Sequence, residues 1–251
     1  QAATVLGQGE MVGVKVAGGF GPVLFEPAQM TYLQQNPGAA ITAIASGFAD
    51  ALLADQLNTA VGCAVSAVEN VAALVNDVSA SAGVTQVGLN NSHRKFGDMS
   101  SVLSADVMTG DVYHRLVGEA IANSSSLFLS TNVKVVDILG KLFVISDIPA
   151  LYEAGSPNKD KVLSITSGGI IVDNSSDIVS NMETSNGKLR IETTWQADYT
   201  FGVKLKGYAW DVANGGASPT DAELFTGTNW DKAVTDNKHT LGTLLIGSAA
   251  A

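Results

Sequence analysis

The chain has 251 residues, of which 46% are apolar and 15% charged, and it carries a net charge of −10 at neutral pH. That length buries a sizeable core as one large domain or two modest ones, and the composition excludes a disordered chain. The acidic balance excludes a sequence-reading nucleic-acid binder, since phosphate contacts need clustered Lys and Arg and the densest basic spot is His93-Arg94-Lys95.

The sequence opens on Gln1-Ala2-Ala3-Thr4 without a signal-peptide pattern, so no secretory leader is expected. Residues 1–26 read as extended. Val12, Val14 and Val16 alternate with Gly13 and Lys15 at the period of two that a strand requires. Gly18-Gly19-Phe20-Gly21-Pro22 is expected to break that strand, giving a hairpin arm or an ordinary edge hairpin.

From Asn36-Pro37-Gly38 onward a long helix is predicted. Ile41, Ile44, Phe48, Leu52, Leu57, Val61, Val65 and Val68 recur at helical steps, and Asp50, Asp55, Asn58 and Glu69 fall nearer the other face. Proline is absent up to Pro149, and the helical period fades near Asn76-Asp77. The result is a helix of about 35 residues and about 50 Å. That is long for a chain of this size, and a spine crossing the molecule is the economical reading. Gly47 and Gly62 are expected to mark close packing or a slight bend. Cys63, set among Ala and Val, reads as a buried small hydrophobe, and a lone cysteine excludes an intramolecular disulfide or a cysteine-based zinc cluster. Lys, Asp, Asn or Gln interrupts every apolar run short of the roughly 18–20 residues of a membrane span.

Residues 84–225 read as a mixed helix-and-sheet unit. Val102 to Met108 is a strand, and Asp111 to Ile121 is a helix capped by Asp111 or Thr109, with Val112, Leu116 and Ile121 along one side. Val133 to Ile148 reads as two apolar runs hinged at Gly140, Ala154 to Asp160 as a loop, and Val162 to Val172 as a strand pair hinged at Gly168-Gly169. Leu189, Ile191, Thr193 and Trp195 alternate with Arg190, Glu192 and Thr194. After a corner at Gln196-Ala197-Asp198, Phe201, Val203 and Leu205 alternate with Lys204 and Lys206, as in a half-buried antiparallel sheet. Asn214 to Pro219 marks a boundary. A short helix from Asp221, a turn at Asn229-Trp230-Asp231 and a strand from Thr240 to Ile246 follow.

Catalytic patterns are missing. His93, His114 and His239 lack metal-ligand spacing, and no His-x-x-x-His or His-Glu-x-x-His occurs. Ser167-Gly168-Gly169 lacks the full nucleophile elbow, Gly7-Gln8-Gly9 lacks the third glycine of a dinucleotide fingerprint, and no Gly-Lys-Ser/Thr closes a phosphate loop. Asp173 with Asp177 suits loop solvation or capping. Trp195, Trp210 and Trp230 suit core or interface anchors better than base-stacking platforms. No catalytic residue, cofactor or metal ligand is expected.

Four segments carry a resemblance. Met108-Thr109-Gly110-Asp111-Val112-Tyr113-His114-Arg115-Leu116 resembles the strand-to-helix run of tailed-bacteriophage major capsid proteins, and Phe96-Gly97-Asp98-Met99 resembles the step before it. Asp55-Gln56-Leu57-Asn58-Thr59-Ala60 resembles the spine helix of the same family, and Asn229-Trp230-Asp231-Lys232 its closing element. The resemblance implies an α+β chain of the Hong Kong 97-type capsid fold. Residues 1–26 would be the N-terminal arm and extended hairpin loop, present only in part, and 27–83 the peripheral domain with the spine helix. Residues 84–219 would be the apical domain and 220–251 the return to the peripheral domain.

The function so implied is that of a major capsid protein of a tailed double-stranded DNA phage. Its partner would be itself, in pentamers and hexamers of an icosahedral head, with portal and cement proteins beside it and DNA enclosed without sequence-specific binding. An acidic inner wall would let packed DNA slide. Assembly would take place in the host cytoplasm, with no membrane involved, and the mature protein would reside in the virion. Candidate inter-subunit contacts are Val12, Val14, Lys15 and Phe20 of the arm and Trp230 of the closing element. The lysine–asparagine cross-link chemistry of some family members is not carried over to Lys15. Two other readings remain open at this point: a nanocompartment shell enclosing a cargo enzyme, and a secreted β-rich adhesion module.

Overall fold

A computed structural model describes residues 11–26, 29, 31, 35, 37–124, 141–187 and 191–249, with the side chains of 37–41 and 121–124 left aside. The expectations for Gly7-Gln8-Gly9, for 133–140 with its hinge at Gly140, for Leu189 and Arg190, and for the side chains of Ile41 and Ile121 lie outside the described residues. The remainder is a long helix set between two sheets.

The helix, α1, spans Pro37–Glu69. Proline suits its first turn, where no intrahelical donor is needed, and an unbroken Ala-rich run without internal proline sustains the rest. At 33 residues it is about 50 Å long. Over Thr42–Glu69 it is long and apolar enough to cross a membrane by length and composition, contrary to the sequence expectation, but 56% of its most apolar window is buried within the molecule.

The first sheet is built on one long strand. β1 (Val14–Phe25) pairs antiparallel with β9 (Ile191–Leu205), whose other edge holds β7 (Ile170–Asn174) and β8 (Val179–Asn186). The expected break at Gly18–Pro22 is a bulge between Phe20 and Val23, and β1 pairs with β9 instead of folding into a hairpin of its own. Gly21 sits there at φ 102°, and a Cβ on it would meet the Trp195 carbonyl at 2.7 Å. The expected corner at Gln196–Asp198 is also absent. Thr193, Ala197, Tyr199, Phe201, Val203 and Leu205 are all buried on one face. Both expected segments place their inward residues at odd positions, so one straight strand keeps every side chain on its proper face.

The second sheet runs β2 (Val75–Asp77), β12 (Gly242–Ser248), β6 (Lys159–Thr166), β3 (Leu103–Met108) and β4 (Leu142–Ile145), with β5 (Tyr152–Glu153) also on β6. β10 (Tyr208–Trp210) and β11 (Trp230–Lys232) form a separate ribbon. The strands β6 and β7, expected to pair across Gly168-Gly169, belong to different sheets. Gly168, at φ 66°, turns the chain from one to the other.

Residues 84–219 contribute strands to both sheets, and the closing strand β12 lies between β2 and β6. Local alternation carries no information about which distant strand completes a ladder.

One core lies between α1 and both sheets, joining Val61, Val65 and Val68 to Tyr199 and Val203 on one side and to Leu163 and Leu244 on the other. A second covers the far face of the second sheet. There Leu89 of α2 (Gln86–His93) and Val112 and Leu116 of α3 (Gly110–Ser124) meet Met108, Val162 and Leu245. β12 is therefore covered on both faces, and all seven of its residues are buried. Thr109, not Asp111, caps α3, its hydroxyl 3.4 Å from the Val112 N–H. Asp111 instead pairs with Arg115 one turn on.

Gly62 meets the expectation of close packing, since the Phe225 ring occupies the space of a Cβ. Gly47 does not, having nothing within 4 Å. Cys63 is fully buried, and burial first, then the charge of Asp221, pushes its thiol up to about 12, the behaviour of an inert hydrophobe.

Candidate assembly surfaces

A protein that acts through contacts needs side chains its own fold leaves uncovered. Of the five candidates, Val12 is exposed and the Lys15 ammonium stands 3.6 Å from Asp177 in the open. Val14 is buried against the core. Trp230 is 1% exposed, its ring edge-on to Trp210 at 4.9 Å and its Nε1 donating to the Leu224 carbonyl at 3.0 Å. Both are spent inside their own chain. Phe20 is half-buried in an aromatic cluster with Phe48 and Trp195, at centroid distances of 5.9 and 5.7 Å. Its partners come from α1 and β9, which is why a local reading could not place it.

Apolar surface lies elsewhere. On α1, Leu53 is 62% exposed and Leu57 46%, although Leu57 was expected on the inner face. The groups turned inward are polar. Asp55 accepts from the Tyr199 hydroxyl at 2.7 Å, and the Gln56 amide donates to Asn174 at 2.6 Å. Burial, then that bond to Asp55, raises the Tyr199 phenol above its ordinary value. On β8 all eight residues are exposed, Val179 and Met182 among them. Their spacing resembles any half-buried strand, so nothing in their order reveals that no described strand lies outside them.

A groove of about 560 Å³ runs between α1, the segment 149–153 and the short helix α4 (Asp221–Leu224). Asp55, Glu69, Glu153 and Asp221 line it, with Lys161 at its floor. The Lys161 ammonium bonds Glu69 at 2.8 Å and Glu153 at 2.9 Å. Burial lowers its affinity for the proton, and the bonds to Glu153 and Glu69 outweigh that, leaving it above the ordinary 10.5. The bond from Lys161 in turn holds the Glu153 carboxyl below its ordinary 4.5. These residues are scattered from 55 to 225, and no local motif announces the groove.

His93 looks catalytic at first sight, being buried beside Asp106 and Ser164. Its Nε2 faces both, at 2.9 Å from the carboxylate and 3.0 Å from the hydroxyl. A single nitrogen serves both contacts, so no relay from acid through imidazole to hydroxyl exists. The cluster pins α2 to the second sheet. Among the described residues no group of His, Cys, Asp and Glu could hold a metal ion.

A spine-like helix thus lies between two sheets, and apolar surface stands exposed on it and on β8. The family model of the Gp13-like major capsid proteins, described as "Major capsid protein 13-like", matches residues 1–244, and the chain belongs to that family. It is a structural capsid protein of a bacteriophage head and a component of the virion. Among solved structures it is similar to the capsid of cyanophage Pam1, at 12% identity and a TM-score of 0.54, over 100% of this chain and 82% of that one. It is likewise similar to the capsid of Helicobacter pylori bacteriophage KHP30 (8% identity, TM-score 0.50) and to the head of KHP40 (9%, 0.50), each over 99% of this chain and 82% of theirs. At these identities the likeness speaks for the fold. No curated protein matches the sequence.

Proposed function

We propose that this capsid protein assembles as pentamers and hexamers into the icosahedral head of a tailed double-stranded DNA phage, enclosing the genome without reading it. The observation that carries this beyond family membership is α1. Its residues 42–58 are left largely bare by their own chain, while 59–68 form the centre of the core. A stretch of apolar helix kept in water is costly unless a neighbour covers it. Repetition of one heterologous contact closes rings when its rotation closes, and several overlapping contacts supply stability that one modest interface does not.

In this reading residues 1–26 form the arm and extended loop, 27–83 the peripheral domain with the spine helix, 84–219 the apical domain and 220–251 the return to the peripheral domain. Val12 and Lys15 are the arm residues available to a neighbour. The chain catalyses no reaction, assembly takes place in the host cytoplasm, and a portal complex and cement proteins are further virion partners. The acidic balance of −10 keeps packed DNA from sticking to the wall.

Electron microscopy of the purified protein at neutral pH and moderate salt tests the proposal. Closed shells, or rings of five and six, are expected. Isolated particles of about 26 kDa at every concentration would overturn it. Shells that co-purify with an enzyme cargo and no nucleic acid from infected cells would favour a nanocompartment instead.

A further inference from the structure

Resting on that reading, we infer that the acidic groove beside α1 receives Arg94 and Lys95 of a neighbouring copy, making a polar head-to-tail contact within the shell. The groove carries four carboxylates against the single ammonium of Lys161. Lys161 is already shared between Glu69 and Glu153 and Asp55 accepts from the Tyr199 hydroxyl, which leaves exposed Asp221 lining the groove without a partner cation among the described residues. Tyr152 and Phe225, both nearly half exposed, stand at its rim and offer ring faces to a guanidinium or an alkyl ammonium.

The complementary charge lies on the same chain. Among the described residues, Lys15, Arg115, Lys159, Lys161, Lys204 and Lys238 have carboxylate partners, and Lys141, Lys206 and Lys232 bond neutral oxygens of their own chain. Arg94 and Lys95 follow α2 directly, Arg94 exposed and Lys95 half-buried, and no ion pair reaches either among the described residues.

Geometry forbids the two patches from meeting within one molecule. Lys161 and Ser164 are three apart on β6 and so point to opposite faces of the sheet. Lys161 reaches Glu69 of α1 on one face, and Ser164 bonds His93, the neighbour of Arg94, on the other. The basic pair of one copy can satisfy the groove only of another. That contact is heterologous, the kind that builds rings.

Charge reversal in the full-length protein tests this, read by light scattering for the onset of assembly and by electron microscopy for its product. Arg94→Glu with Lys95→Glu is expected to raise the onset concentration about tenfold or more, because like charges then face each other. Asp221→Lys alone is expected to weaken assembly in the same sense. Combining the three substitutions is expected to recover most of the wild-type onset. Circular dichroism and thermal melting verify that each variant is folded; should Asp221→Lys unfold the chain, Asp221→Asn with its smaller expected shift takes its place. Assembly of the Arg94→Glu, Lys95→Glu variant at the wild-type concentration overturns the inference, and so does a loss that the combined variant fails to recover. Wild-type protein that never assembles overturns the parent reading instead, and the contact with it.

Discussion

The two halves of α1 share an Ala-rich composition and live in opposite environments. From Thr59 to Val68 every residue is buried except half-buried Ser66, while from Thr42 to Asn58 only Gln56 is buried. Both sheets and the segment around 224–230 contribute to the core that encloses the C-terminal half, whereas the N-terminal half meets its own chain at Phe48, Leu52, Asp55 and Gln56 among its better-covered residues. Helical periodicity therefore records an apolar face and not whether the same chain covers it.

Substitutions at the two ends of this contrast should behave differently. The largest effect is expected at the buried end, where Trp230→Ala removes a fully enclosed ring and should cost about 3–5 kcal/mol in denaturant unfolding. A loss below about 1 kcal/mol would mean the enclosure is loose. Gly227 packs against the Ser66 carbonyl so closely that no Cβ fits, and Gly227→Ala should cost about 1–3 kcal/mol.

At the bare end the sign reverses. Gly47 has nothing within 4 Å, so Gly47→Ala should gain about 0.5–1 kcal/mol of thermal stability from helix propensity alone. Leu53→Lys should leave the unfolding free energy of the isolated chain within about 0.5 kcal/mol while delaying assembly in light scattering. If it lowers chain stability and spares assembly, the contrast between the halves collapses.

The smallest effect concerns acid. The Glu153 carboxyl is held below 4.5, so its contribution is present above that value and is lost as pH falls through its folded one. Its side chain is 43% exposed, and solvent screens the pair with Lys161. Glu153→Gln should therefore flatten the acid limb of a stability–pH curve slightly and leave the neutral region almost unchanged.

Much of this was legible in the order of residues, and the reasons separate cleanly. The span of α1 could be read from an uninterrupted apolar period, and β3, α3 and the closing strand from local patterns of the same kind. The partners of β1 and β7 could not, because alternation says that a strand exists but not which edge it joins. Asp55 and Leu57 exchanged their expected sides because the Tyr199 hydroxyl, 144 positions away, draws the carboxylate inward. Val14 and Trp230, expected to meet a neighbouring subunit, are buried within their own chain. The groove was invisible, since its carboxylates gain meaning only when α1, β6 and α4 converge.

The place of β12 in its sheet bears on how the subunit is made. It lies between β2, which it pairs in parallel, and β6, which it pairs antiparallel, filling a gap flanked by strands that precede it in translation by about 80 residues or more. Until Gly242–Ser248 has emerged from the ribosome, that gap stays open and both cores lack a wall. A chain interrupted before Gly242 has no means of closing its sheet. In a structure that repeats one subunit many times, β12 thus acts as the seam that closes each copy, since both cores are walled only once it is seated.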